Sequence, residues 1–141
     1  MCSSDLDDHL AALSRYGLPL GDAFQMRDDV LGAFGETDVT GKPVGDDLRE
    51  GKPTPLMAIA VSCANAAQKK TLDLVGSVSL SDAQVAEVQG VIRDTGALDE
   101  LEAHITSLTD QAIASLQHAN LTAEAKDELV ALANYVSWRV V

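Results

Sequence analysis

Between Phe24 and Thr54 the chain reads FQMRDDVLGAFGETDVTGKPVGDDLREGKPT, and no other stretch restricts its folding as strongly. The first part has helical spacing. At about 100° per residue, Gln25, Asp28, Asp29 and Gly32 fall within one arc. Leu20, Phe24, Leu31 and Phe34 cluster on another arc, which gives such a helix an apolar side to pack. The second part is polar and punctuated by Gly and Pro, so a loop follows. It carries Lys42 after Gly41 and Lys52 after Gly51, with Asp46 and Asp47 between them. Adjacent carboxylates repel one another unless a cation joins them. Oxygen ligands with room for water and phosphate are what Mg²⁺ prefers. Lysines beside such a site supply the counter-charge that a diphosphate needs. An acidic pair alone is most often a solvated helix face. The order of amide, acid pair and two Gly-Lys steps is what points to an anion held through metal.

The rest of the chain is read as helical. A hydrophobic content of 46% with only 4% aromatic residues suits an all-α core rich in Ala, Leu and Val, and 141 residues allow one modest domain. A first helix is expected from about Asp5, capped by Ser4 or Asp5, with Leu6, Leu10, Leu13 and Gly17 in helical register. Pro19 is expected to kink or split it. The loop at 35–53 is long for a compact domain, which suggests function. From Thr54 to Lys70 one helix is expected, with Leu56, Ile59, Ala60 and Cys63 as its buried stripe. Ser81 to Gln84 reads as a capping box that opens a helix burying Val85, Val88, Val91 and Ile92 and ending near Thr95-Gly96. A further helix covers about 98–118 and packs through Leu101, Ile105, Leu108, Ala112, Ile113 and Leu116. Thr122 caps a last helix that turns Leu129, Leu132, Ala133 and Val136 inward, with Trp138 anchoring its final turn. His9, His104 and His118 are read as solvent-facing. This makes about six helices.

Residues 24–54 are similar to the second aspartate-rich region of the trans-type isoprenyl diphosphate synthases, the farnesyl and geranylgeranyl diphosphate synthase family. The likeness begins at Tyr16-Gly17 and Leu20-Gly21 and continues more weakly, as helical pattern, to the C-terminus. It implies an all-helical bundle in which two acidic motifs face each other across a cavity and bind Mg²⁺. It also implies isoprenoid biosynthesis as the setting. The metals hold an allylic diphosphate, which ionises to a cation attacked by isopentenyl diphosphate. Carried over by position, Asp28 and Asp29 are the catalytic, metal-binding acids. Gln25, Lys42 and Lys52 hold the substrate diphosphate or its metals. Gly32 stands where many members have a third aspartate. The family's first aspartate-rich motif with its paired arginines has no counterpart here, and the expected upstream Lys-Thr pair is also missing. The 141 residues thus resemble the C-terminal half or less of such an enzyme, a single partial domain with its motif at 24–54 and supporting helices at 55–141.

Three expectations follow. The chain is a Mg²⁺-dependent prenyltransferase by family, in a truncated form not active alone. Alternatively it is a non-catalytic helical partner subunit, or a fragment that binds Mg²⁺ and diphosphate without turnover. In each case the helix face around Phe24, Gln25 and Asp28 is left bare, so a homo- or hetero-oligomer with a helical chain is expected. A net charge of −12 argues against nucleic acid and against an anionic membrane surface. No segment reads as a membrane span or a signal peptide. Two cysteines, Cys2 and Cys63, form neither a metal spacing nor a disulfide framework, which fits a reducing cytoplasm.

Overall fold

A computed structural model describes residues 3–35, 41 and 44–140. Among these residues there is no strand, and seven α-helices occur. They are α1 (Ser3–Phe34), α2 (Asp46–Glu50), α3 (Pro55–Cys63), α4 (Ala66–Leu72), α5 (Asp82–Asp94), α6 (Ala97–Ser115) and α7 (Ala123–Trp138). A 3₁₀ turn at Leu116–His118 extends α6. No helix of the described residues is long and apolar enough to cross a membrane. The helix termini follow local chemistry. Ser81 Oγ accepts from the Gln84 N–H, and Gln84 Oε1 accepts from the Ser81 N–H, which closes the capping box of α5. Thr122 Oγ1 accepts from the Ala125 N–H at the start of α7. Each such cap contributes about 1 kcal/mol.

Two compact units divide the chain. The first comprises residues 1–27 and 103–139. Its core joins Tyr16 and Leu20 of α1 to Ala112, Leu116 and Ala133, with Ile113, Leu121, Leu129, Val130 and Val136 packed against them. The Tyr16 hydroxyl donates to the Leu129 carbonyl at 2.7 Å, and burial raises its pKa above the ordinary value. Thr109 and Ser137 are buried polar residues that satisfy each other. The Thr109 hydroxyl donates its one proton to the Ile105 carbonyl, so Ser137 is the donor in the second bond.

Several expectations for this unit are corrected. Helix α1 starts at Ser3 and runs unsplit through Pro19. An internal proline costs about 3 kcal/mol. Burying Tyr16, Leu20 and Ala23 on either side of it offsets that cost, since one large apolar side chain contributes about 1.5–3 kcal/mol. Phe24, read both on the apolar arc and on the face left bare, is 40% exposed and lies under the Arg139 guanidinium, 4.4 Å from ring centre to carbon. Leu132 is exposed, because its neighbour Ala133 takes the buried position of α7. His9 is half-buried, whereas His104 and His118 are exposed as expected. Trp138 is partly exposed, with the Arg27 guanidinium 5.8 Å above its ring, while Arg27 Nε donates to the Arg139 carbonyl.

The second unit comprises residues 28–102 and 140–141. Here α5 packs on α3 and α4 and buries Val85, Val88 and Ile92. Leu48, Leu56, Ala60, Leu72 and Leu80 are also buried in this unit. The helix expected over 54–70 is two helices. Asn65 breaks it: its side chain caps α4, and Gln68 returns the bond to the Asn65 N–H. Cys63 therefore ends α3 and is an exposed free thiol, not the core residue that the stripe suggested. That break and the short α2 inside the expected loop add two helices, and the unsplit α1 removes one, which gives seven in place of six.

Candidate functional site

The site lies in the second unit and is built from the last turns of α1 and from α2. Asp28 and Asp29 sit on α1, Asp47 on α2, and Lys52 one residue beyond the Gly51 cap. The Lys52 ammonium stands between two acids, 3.9 Å from Asp28 Oδ2 and 3.7 Å from Asp47 Oδ2. Both distances exceed hydrogen-bond range, and Lys52 and Asp28 are nearly half exposed, so these pairs add little stability. Asp29 is buried, and its pKa is raised. Burial is the largest cause; Lys52 pulls the other way, and the Asp28 and Asp47 charges add to the rise.

Asp47 is the residue that the sequence reading passed over as a ligand. Its signal was Gly32. A Cβ at Gly32 would overlap the Asp47 carboxylate, so the bare backbone of α1 is what admits Asp47 from α2. Glycine at 32 thus removes one acid from the helix and makes room for another. Asp46, Asp47 and Glu50 also place carboxylate oxygens within 4.8 Å of one another. Hard, partly exposed oxygen donors of this kind fit Mg²⁺. Of the other expected residues, Gln25 is exposed on α1 in the first unit, and Lys42 lies outside the described residues.

Helix α5 fixes both acid-bearing segments. Gln89 Nε2 donates to the Ala33 carbonyl at 2.7 Å, and the Arg93 guanidinium stacks on Phe34 at 4.6 Å. These contacts hold the end of α1. On the other side Gly45 abuts Val85, and the Gly76 N–H donates to the Leu48 carbonyl at 2.8 Å. Gly51 has φ 70° and approaches the Gly76 Cα so closely that a Cβ would collide with it. A left-handed glycine there turns the chain so that Lys52 follows α2 directly.

Residues 1–93 match the family model described as polyprenyl synthetase. This chain belongs to that family. The geranylfarnesyl diphosphate synthase of Aeropyrum pernix is 37% identical over 91% of the chain, a stretch that is 40% of its own length. The (2E,6E)-farnesyl diphosphate synthase of Mycobacterium tuberculosis is 34% identical over 89% of the chain and 36% of itself. Among solved structures, a geranylgeranyl pyrophosphate synthase from Corynebacterium glutamicum, complexed with isoprenyl diphosphate and magnesium, superposes with a TM-score of 0.86. It is 40% identical, over 92% of this chain and 37% of the other. The chain spans about two-fifths of the length of these relatives.

Proposed function

We propose that Asp28, Asp29, Asp47 and Lys52 form one half of a Mg²⁺–diphosphate clamp of a prenyltransferase that condenses an allylic diphosphate with isopentenyl diphosphate. The observation that carries this is the Lys52 ammonium poised between carboxylates of two helices. Like charges gathered at such a cost, for ion pairs worth about 0–1 kcal/mol, are better explained by a ligand than by stability. Asp28 and Asp29 would hold the metal, with Asp47 as a further acid from α2. Gln25 and Lys42 are proposed as further diphosphate contacts on the family pattern. The metal, when bound, supplies positive charge to the departing diphosphate. Lys52 then donates to diphosphate oxygens as the allylic C–O bond breaks and its electron pair leaves with them.

The 141 residues are proposed to bind but not to turn over alone, because an ionisation that uses two acidic motifs is not preorganised by one. Leu6, Leu10, Leu13 and Leu18 are each at least half exposed on α1, which favours a helical partner, either a second copy or another chain. A reducing cytoplasm suits the exposed free thiol of Cys63. The test is incubation with Mg²⁺, isopentenyl diphosphate and an allylic diphosphate, with and without a chain carrying the first motif. Longer prenyl products should form only in the mixture and should vanish with Asp28→Ala. Product from the lone chain would refute the requirement for a partner. No product from the mixture would favour a non-catalytic binding subunit.

A further inference from the structure

We infer that Arg49 is a positioning residue for this clamp, which sets Asp47 and Lys52 in place without touching the ligand. The inference rests on the function proposed above. Helix α2 has only five residues, Asp46–Glu50. A helix so short is not stable on its own, so its position must be imposed from outside. Arg49 supplies that restraint with all three of its guanidinium nitrogens. Nε donates to the Leu80 carbonyl at 3.2 Å, Nη1 to the Val44 carbonyl, and Nη2 to Asp82 Oδ1 at 2.9 Å. One planar group thereby joins Val44, which precedes the Gly45 cap of α2, the residue that closes the 77–80 turn, and the first residue of α5. Asp47 lies two residues before Arg49 and Lys52 three after it, and the Lys52 N–H donates to the Asp47 carbonyl at 3.1 Å. Displacing α2 therefore moves both clamp residues together.

Arginine is required by this geometry. A lysine at 49 could reach Asp82 as a point charge, but it could not bridge three acceptors in one plane. The partner Asp82 is fully exposed, so the ion pair itself adds little to stability. What the fork contributes is placement, and its loss should appear in binding more than in unfolding.

The test measures Mn²⁺ binding in the presence of inorganic pyrophosphate, by the loss of the free-Mn²⁺ paramagnetic resonance signal, with far-ultraviolet circular dichroism as the check on folding. Arg49→Ala should weaken binding about 10- to 100-fold, the range for residues that orient metal ligands, and Arg49→Lys should not restore it. Asp82→Asn, which removes one of the three links at an exposed position, should give a smaller loss. In a Lys52→Gln background Arg49→Ala should cost less than in the parent, because part of what it positions is already gone. Arg15→Ala, remote in sequence and in the other unit, should bind as the parent does. Parent-like affinity in Arg49→Ala, full rescue by lysine, or strict additivity with Lys52→Gln would each overturn the inference. Absence of binding by the parent chain would instead remove the proposed clamp and this inference with it.

Discussion

Burial makes Asp29 a costly acid for the metal-free protein. Its pKa is raised chiefly by burial, so folding disfavours its charged form relative to the unfolded chain. A raised folded pKa contributes stability that is fully present below the ordinary aspartate value of 3.8 and is lost as pH rises through the folded value. Without metal, Asp29→Asn should therefore melt higher than the parent at pH 7, and the difference should vanish as pH falls below 3.8. Mg²⁺ should stabilise the parent more than the variant; differential scanning calorimetry reads both effects. Gly32 offers a second test at this scale. Gly32→Ala should gain up to about 1 kcal/mol of helix stability, because the atoms it displaces belong to a movable carboxylate. The same displacement should weaken Mg²⁺-dependent pyrophosphate binding about tenfold. Stability from urea unfolding and affinity from calorimetry should thus move in opposite directions.

At the scale of elements, α5 is the reference against which the site is set. It reaches α1 through Gln89 and Arg93, and the α2 segment through Val85 and Asp82. Its capping box was legible in the sequence because Ser81 and Gln84 sit at the required spacing and both bonds are local. The acid pair and Lys52 were legible for a similar reason, since the motif is continuous. The nearness of Asp47 was not, because its approach depends on what Gly32 lacks, a relation between two helices. Cys63 was misplaced because register was taken for burial: it ends α3 just before the Asn65 break and is exposed. Asn65 competes with helix continuation, because its side chain satisfies backbone donors at a helix start but not within a helix. Asn65→Ala should accordingly cost about 1 kcal/mol in chemical denaturation, whereas Cys63→Ser should change stability by less than about 0.5 kcal/mol. A large loss with Cys63→Ser would contradict its exposed position.

For the whole molecule, the all-α class followed from composition and period, and the family relation agrees with it. What periodicity did not foresee is how α1 tolerates Pro19, which is decided by burial of distant partners such as Leu129 and Ala133 around Tyr16 and Leu20. The leucines at 6, 10 and 13 of α1 show the opposite outcome: helical register is kept, yet they remain exposed. Periodicity reports which residues share a face, not whether anything covers that face.

The central claim is that acids from two helices and one lysine act together on a metal-bound diphosphate. Isothermal titration of inorganic pyrophosphate into the 141-residue chain, with and without Mg²⁺, tests it most directly. Binding should require Mg²⁺ and should fall at least about tenfold in both Asp28→Ala and Lys52→Gln. Equal binding without the metal, or variants that bind as the parent does, would contradict it.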